Sequence, residues 1–324
     1  DLGNENFHID YVLGSSFLNR KFDTHTDEAN GLVIPNRFSL SFAASPAYIN
    51  LLSYDRQLNS VFGSVNLMLW KALYVDITGR NDWSSTLPSP HSYFYPSAGL
   101  SVLLNEVVHL PTWINMGKIR TSYTKVGNDA DPNLLNQTYY YVKAAGDGAI
   151  NRSATQNISN LKPEQTLSFE AGFDLQMFDN RVNLNGTYYK TNSKNQLMYL
   201  TVPYATGYQT KYVNAGNIQN QGFELQLQTT PVKTEHFTWN SNFNFARNIS
   251  KVVSLNDQVS SVNISENIAY ASVVVAKGGA YGDLYSYIWK KDAATDKYVV
   301  DAQGLPVVEA GKKVGNYNPS STLG

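Results

Sequence analysis

The chain has 324 residues, a formal net charge of -1 and no cysteine, and only 16% of its residues are charged. These figures exclude a disulfide scaffold, a thiolate zinc site and a cysteine nucleophile, and they leave no basic stripe for nucleic acid. No apolar run approaches the roughly 20 residues that a membrane-spanning helix requires. If the chain crosses a membrane, it does so as strands.

The main sequence signal is an alternation of apolar and polar residues with a period of two, sustained over about ten residues at a time. In Ser168–Met177, Phe169 and Phe173 fall on one face, whereas Glu170 and Asp174 fall on the other. The alternation predicts about ten or eleven strands. In chain order they are Phe7–Arg20, Leu58–Leu69, Leu73–Asp82, Tyr93–Leu104, Asn115–Val126, Ser168–Met177, Val182–Thr191, Gly222–Gln228, Phe237–Phe245, Tyr281–Lys290 and Lys297–Val300.

The predicted connections alternate between short and long. The short turns are Trp70–Lys71, Phe178–Arg181 and Thr230–His236, and the long polar loops are Ser84–Ser92, Gly127–Pro163, Asn192–Asn220 and Ile249–Ala280. An outer-membrane barrel has short periplasmic turns and longer extracellular loops. On that basis four strands run outward: Leu73–Asp82, Asn115–Val126, Val182–Thr191 and Phe237–Phe245.

The predicted fold class is all-β, an antiparallel transmembrane β-barrel of the bacterial outer membrane, present here in part. The alternative is a soluble β-sandwich or propeller, which also alternates. Two observations disfavour it. Soluble strands cluster near five or six residues, and the polar faces here carry Glu170, Asp174 and Glu224, which are poor core residues.

One group of residues is a candidate substrate-binding site at the lumen or rim: Arg80, Asn81, Asp82 and Trp83. They occur where an inward polar strand face meets the start of an outer loop, and planar polar groups beside an aromatic ring can hold a sugar or a peptide. The favoured interpretation is structural. In that interpretation Arg80 and Asp82 form a cross-strand charge pair, and Trp83 belongs to the aromatic girdle.

No catalytic, cofactor-binding or metal-binding residue is predicted. The five histidines lack the spacing of a metal site, and no Gly-x-Ser-x-Gly elbow occurs. The glycines of Lys277–Gly282 lack the closing residues of a phosphate loop, and Asp292, Asp296 and Asp301 lack the spacing of an EF-hand. The chain is therefore not expected to be an enzyme.

Seven segments resemble the SusC/RagA family of TonB-dependent transporters, the nutrient importers of Bacteroidetes outer membranes. Among them are Tyr74-Val-Asp-Ile-Thr-Gly-Arg-Asn-Asp-Trp and Leu161-Lys-Pro-Glu-Gln-Thr-Leu-Ser-Phe-Glu. All seven fall in the family's order across nearly the whole chain: Leu58–Ser64, Tyr74–Pro88, Tyr93–Ser101, Lys118–Asn128, Leu161–Gly172, Gly216–Leu225 and Val314–Pro319.

The resemblance implies a plugged barrel of twenty-two strands, a SusD-like lipoprotein at the outer face, and transport driven through TonB. Residues 1–324 are then expected to be part of a single TonB-dependent receptor β-barrel domain, with the plug and the TonB-contacting segment before Asp1 and further strands after Gly324.

The expected function is import of a bulky nutrient, an oligosaccharide or a peptide, through the outer membrane. Substrate and lipoprotein are expected to contact the loops Gly127–Pro163 and Asn192–Asn220, and outer-membrane lipid to contact the apolar face. The alternatives are a soluble or surface-attached β-rich glycan-binding or adhesin module, and a passive porin.

Overall fold

The computed structural model describes residues 2–4, 6–45, 48–144, 147–255, 261–264 and 271–316. Those residues form seventeen strands and three short 3-10 helices, the helices being Leu40–Phe42, Leu104–Glu106 and Tyr204–Thr206. None of the described helices is long and apolar enough to span a bilayer. The strands are β1 (Leu2–Asn4), β2 (Phe7–Glu28), β3 (Tyr48–Leu69), β4 (Leu73–Ser84), β5 (Ser92–Leu103), β6 (Ile114–Asn128), β7 (Tyr139–Ala144), β8 (Asp147–Arg152), β9 (Thr155–Gln156), β10 (Glu164–Met177), β11 (Val182–Thr201), β12 (Thr210–Lys233), β13 (Thr238–Ser254), β14 (Ser261–Asn263), β15 (Ala271–Ala276), β16 (Asp283–Trp289) and β17 (Val308–Asn316).

Ten of these strands follow one another in a single antiparallel sheet, which we call the wall. Their order is β1-β2-β3-β4-β5-β6-β10-β11-β12-β13, and the short β9 pairs in parallel with β12. Neighbours in the sheet are also neighbours along the chain, apart from the step between β6 and β10. This up-and-down order is that of an outer-membrane barrel. Among the described residues no pairing joins β13 to β1, so the wall is a partial barrel, and the predicted fold class is confirmed.

The strand register carries the alternation across the whole wall. Asp174 on β10 lies opposite Lys118 on β6 and Asn185 on β11, whereas Phe173 lies opposite Ile119. One face of the sheet is therefore polar and the other apolar. We call the polar side the lumen face and the apolar side the outer face, because a charge on the lipid side near the midplane costs about 2–4 kcal/mol.

The two ends of the wall differ in their connections. At one end, consecutive strands are linked by three segments of three or four residues, 70–72, 178–181 and 234–237, and by one of ten residues, 104–113. The opposite end carries the connections 85–91, 129–163 and 202–209. Because short turns are periplasmic in outer-membrane barrels, we expect the second end, which we call the long-loop end, to face the cell exterior.

Several wall strands continue past their predicted limits at the long-loop end. β2 and β3 have 22 residues each and β12 has 24, whereas 9–11 residues cross a membrane. The prediction of a loop over Asn192–Asn220 is therefore wrong: β11 continues to Thr201, and β12 begins at Thr210. Beyond the membrane both faces of a strand meet water, so the alternation that marks the crossing segment is lost.

The other long connections contain strands of their own. The predicted loop Gly127–Pro163 includes the hairpin β7–β8 and the short β9. In the predicted loop Ile249–Ala280, β13 continues to Ser254 and β15 follows further along. Neither stretch shows an apolar and polar alternation sustained over about ten residues, so the signal that marks the wall strands does not mark these shorter ones.

A second antiparallel sheet, β14-β15-β16-β17, follows β13. It contains the predicted strand Tyr281–Lys290, observed as β16. The backbone amide of Val252 on β13 donates to the Gly279 carbonyl at 2.9 Å, which ties this sheet to the wall. The prediction of a strand at Lys297–Val300 is wrong. Its residues make only isolated bridges within a turn-rich segment.

Buried apolar residues gather at the long-loop end. One cluster joins the 129–163 connection to the wall and consists of Leu87, Tyr93, Leu134, Ile158 and Leu161. A second joins β14 to β11 and β12 and consists of Met198, Leu200, Ala215, Ile218 and Val262. Cores of the soluble kind thus form where loops fold back onto the wall, above the part that faces lipid.

Candidate functional site

Arg80 and Asp82 lie together on the lumen face of β4. Arg80 Nε donates to Asp82 Oδ1 at 2.8 Å, and Arg80 Nη2 donates to Ser60 Oγ at 2.8 Å. The Tyr95 hydroxyl donates to Asp82 Oδ2. Both carboxylate oxygens of the buried Asp82 are thus used within the wall. The Arg80 side chain is 34% exposed and is the group of this pair that can reach a solute.

The structure divides the four predicted binding residues between two faces. Side chains alternate along a strand, so Asn81 and Trp83 lie on the outer face, and Arg80 and Asp82 on the lumen face. The Asn81 side chain donates to Ser92 Oγ at 3.0 Å, and Trp83 is partly exposed. The expected charge pair is present, but within one strand and not across two. Substrate binding here stays a prediction, in which only Arg80 and Asp82 can face the lumen.

A second charged pair ties the 129–163 connection to the wall. Arg56 on β3 donates from Nε to Asp129 Oδ2 at 3.0 Å and from Nη2 to Oδ1. The Ser84 and Thr86 hydroxyls also donate to Asp129 Oδ2. A bidentate guanidinium and two hydroxyls therefore satisfy this buried carboxylate. Because Asp129 directly follows β6, the pair fixes the point at which the connection leaves the barrel.

Arg120 reaches across a neighbouring strand because a glycine leaves room for it. The register places Arg120 on β6 opposite Gly172 on β10, which in turn lies opposite Thr187 on β11. A Cβ on Gly172 would lie 3.0 Å from Arg120 Cζ. The guanidinium donates to Thr187 Oγ1 at 2.7 Å and lies 3.5 Å from an Asp174 carboxylate oxygen. It is a second guanidinium held in place on the lumen face.

Beside Arg120 the lumen face forms a cavity of about 580 Å³ near the short-turn end. Its polar lining includes Asp76, Lys118, Asn185 and Gln226. The volume lies within the range of small-molecule sites, and amide groups can hydrogen-bond a polar solute. Among the residues that the structure describes, no group of three or more His, Asp or Glu side chains is arranged to hold a metal ion.

Aromatic side chains are fixed at the outer ends of β11 and β12. The Tyr199 and Tyr212 ring centroids are 4.5 Å apart, and the Tyr212 hydroxyl donates to that of Tyr199 at 2.8 Å. Burial, and then the hydrogen bond with Tyr199, raise the pKa of the Tyr212 phenol, so Tyr212 is neutral at physiological pH. Arg152 at the end of β8 lies 4.0 Å from the ring centroid of Tyr208. Rigid rings therefore stand at the mouth of the barrel.

The sequence pointed to Arg80 and Asp82 but missed three other charged residues of the lumen side, Arg56, Arg120 and Asp129. Arg120 occupies a polar position of a predicted alternating strand, so a search for cations sharing one face could have found it. Arg56 lies two residues before the predicted strand Leu58–Leu69, where no alternation marks it. Asp129 lies in a connection 73 residues from its partner. No periodicity indicates such a pair.

Known proteins similar to this chain include several TonB-dependent receptors. One from Formosa agariphila is 29% identical over 262 residues, which cover 78% of this chain and 26% of that protein. TonB-dependent receptor SusC of Bacteroides thetaiotaomicron is 25% identical over 212 residues, covering 61% of this chain and 21% of SusC. The chain thus spans about a quarter of the length of the curated relatives that it matches.

Solved structures share the fold. The RagAB peptide importer in its closed-closed state matches with a TM-score of 0.76 at 20% identity, over 98% of this chain and 36% of that one. The outer membrane transporter YddB from Escherichia coli matches with a TM-score of 0.57 at 12% identity, over 95% of this chain and 44% of that one. At these identities the likeness establishes the fold alone.

The family assignment follows from the extent of one match. Residues 3–319 match the family described as TonB dependent receptor-like, beta-barrel. This match and the similarity to SusC confirm the resemblance seen in the sequence, and membership of the family indicates the bacterial outer membrane. The chain belongs to the TonB dependent receptor-like β-barrel family.

Proposed function

We propose that the gene product carrying this chain imports a bulky nutrient, an oligosaccharide or a peptide, with energy relayed through TonB. This chain forms part of its single barrel domain, around a plug. Membership of the TonB-dependent receptor family supports energised import over passive diffusion. The family and the apolar outer face together disfavour a soluble adhesin.

The observation that carries the proposal is the chemistry of the lumen face. Arg80 and Arg120 are held by hydrogen bonds to the wall, and neutral groups such as Asn185 and Gln226 lie on the same face. Guanidinium groups pair with carboxylates, and amides and hydroxyls pair with any polar solute. Such a surface suits a large polar solute that must bind and then leave.

The long-loop end is the proposed contact surface for substrate and for a SusD-like lipoprotein. The 129–163 connection is anchored by the Arg56–Asp129 pair and packs Leu134 and Ile158 against the wall. An anchored connection loses little conformational entropy when a partner binds it. Uptake and lipoprotein binding that survive deletion of residues 130–160 would contradict this assignment.

Energy dependence tests the proposed import. Cells that express the gene product are given a labelled oligosaccharide or peptide, with and without a protonophore, and in strains with and without TonB. Import that stops when the proton gradient or TonB is removed supports the proposal. Uptake that continues unchanged identifies a passive porin.

Arg80→Ala tests the role of the lumen face in the same assay. We expect uptake per folded molecule to fall several-fold, because the partly exposed guanidinium is lost. The matched control is Lys291→Ala, which removes an exposed cation outside the wall. Equal uptake by the two variants would remove Arg80 from the substrate path.

A further inference from the structure

The outer face of the wall is asymmetric in charge. In β6, β11 and β13 it carries Lys125, Lys190 and Arg247, with Lys194 and Lys251 nearer the long-loop end. The acidic residues of β6 and β10–β13 all fall on the lumen face; they are Glu164, Glu170, Asp174 and Glu224. These outer-face cations therefore share their face with no carboxylate of their own strands.

Three of the cations stand at one height above the short-turn end. Lys125, Lys190 and Arg247 lie 11, 8 and 9 residues from the first residues of their strands, which are Ile114, Val182 and Thr238. A tilted strand crosses the hydrocarbon region with about 9–11 residues. The three cations thus lie where the apolar band ends and the outer leaflet's headgroups begin.

An aromatic residue lies beneath each of these cations, two positions nearer the short-turn end on the same face. The residues are Tyr123 under Lys125, Tyr188 under Lys190, and Phe245 under Arg247. Aromatic residues form girdles at the membrane interfaces of barrels. Their positions confirm, independently of the residue count, the level at which the cations stand.

The three charged groups are unpaired within the described chain. None of Lys125, Lys190 and Arg247 makes a side-chain hydrogen bond or an ion pair with another described residue, and Lys190 and Arg247 are exposed. The contrast with β2 is direct. There the outer-face Lys21 lies 3.5 Å from Asp23 and opposite Asp55 on β3.

We propose that Lys125, Lys190 and Arg247 form a binding row for the phosphate groups of anionic lipid in the outer leaflet. The occupant is a lipid because the three side chains leave the wall at the headgroup level, where their stems cover apolar surface and their charges extend outward. It is anionic because three cations stand without a carboxylate, and both guanidinium and ammonium groups bind phosphate.

The spacing of the row indicates how many phosphates it holds. Successive cations are two strands and two residues of register apart, so about 12 Å separates their Cα atoms at a strand spacing of about 4.8 Å and a rise of about 3.3 Å per residue. One phosphate cannot contact all three at that distance. The row therefore binds neighbouring phosphates, on one headgroup or on adjacent lipids.

The test measures lipid binding by the full-length gene product in detergent. The probes are a diphosphorylated lipid A and its dephosphorylated form, and bound lipid is counted by native mass spectrometry. Removal of one cation is expected to weaken binding about tenfold or less. The triple variant K125Q/K190Q/R247Q is therefore expected to weaken binding of the phosphorylated probe on the order of 100-fold. The matched control, Lys21→Gln, removes an outer-face cation that already has carboxylate neighbours, and leaves binding unchanged.

The remaining outcomes decide the proposal in either direction. K125R/K190R retains binding if charge is the cause, and wild-type binding of the phosphorylated probe falls as salt is raised. Equal affinity for the two probes, or unchanged binding by the triple variant, overturns the proposal. If the triple variant fails to fold, two measurements on the wild type still test the proposal. They are the salt dependence of binding and the difference in affinity between the phosphorylated and dephosphorylated probes. The inference rests on the membrane location and not on the proposed import. A failure of lipid binding would therefore leave the proposed import untouched.

Discussion

The two faces of the wall use charge in different ways, although the same strands supply both. On the lumen face, Arg80 and Arg120 are fixed by Asp82 and Asp174 and by neighbouring hydroxyls. On the outer face, Lys125, Lys190 and Arg247 make no side-chain hydrogen bond or ion pair with another residue that the structure describes. The lumen face holds its charges in place for a passing solute, whereas the outer face leaves its charges for the membrane.

A charged side chain placed on the apolar outer face is expected to have the largest effect on the stability of the barrel. Leu225→Arg places a guanidinium on the outer face of β12, between Gly186 and Phe245 and near the middle of the apolar band. We expect the barrel to lose about 2–4 kcal/mol of stability. The control, Gln228→Arg, places the same group on the lumen face and costs little. Denaturant unfolding of the full-length protein in lipid measures the free energy of unfolding of both variants. Equal losses would contradict the assignment of faces.

The anchor of the 129–163 connection comes next. Asp129→Asn removes the charge that Arg56 pairs with, and we expect a local loss of about 1–3 kcal/mol in the attachment of the connection. Limited proteolysis of the connection measures this loss, because the cleavage rate rises about tenfold for each 1.4 kcal/mol by which the attachment is weakened. The control is Asp131→Asn at an exposed position. If both variants are cut at the wild-type rate, the pair does not hold the connection.

Gly172 tests how closely the lumen face is packed. Gly172→Ala adds a Cβ 2.8 Å from the Gly186 carbonyl oxygen and 3.0 Å from Arg120 Cζ, so Arg120 must move away from Thr187. We expect a loss of about 1–3 kcal/mol on unfolding. Gly99→Ala on the same face meets its nearest atoms at 3.6 Å and is expected to be near neutral. A crystal structure of Gly172→Ala with the Arg120–Thr187 bond intact would disprove this account.

The smallest effect is expected at the Tyr199–Tyr212 pair. Tyr212→Phe removes one hydrogen bond and costs about 0.5–1.5 kcal/mol locally, whereas Tyr204→Phe, at an exposed position, costs nothing measurable. Because the pKa of Tyr212 is raised above its usual value of 10, the pair stabilises the folded form fully below that pH and loses its contribution as pH rises further. Hydrogen exchange at the ends of β11 and β12, followed across pH 9–12, tests this. A pH-independent exchange difference between wild type and variant would exclude the titration.

The membrane-crossing part of the fold was predictable because lipid on one side and water on the other impose alternation. The prediction of Ser168–Met177 with its two faces agrees with β10, and Leu73–Asp82 agrees with β4. Outside the membrane that constraint ends. For this reason the sequence predicts loops where the structure has the outer part of β11 and the hairpin β7–β8.

The candidate site was predictable only in part. The sequence placed Arg80 and Asp82 correctly near one another, since they are two residues apart on one strand. It grouped them with Asn81 and Trp83 as consecutive residues, although side chains alternate along a strand and place those two on the opposite face. The contact of Arg120 with Thr187 depends on the register of three strands and on Gly172 between them. Register is set by the fold, and one residue of slip would reverse every face.

The length of β12 has a consequence for the cell surface. Its first residue, Thr210, lies 13 residues beyond Phe223, which is opposite Arg247 at the proposed headgroup level. At about 3.3 Å per residue and a tilt of about 45°, the strand rises roughly 30 Å above the lipid. The mouth of the barrel is therefore a raised rim, and a solute arriving from the medium meets protein well before it comes within reach of the bilayer.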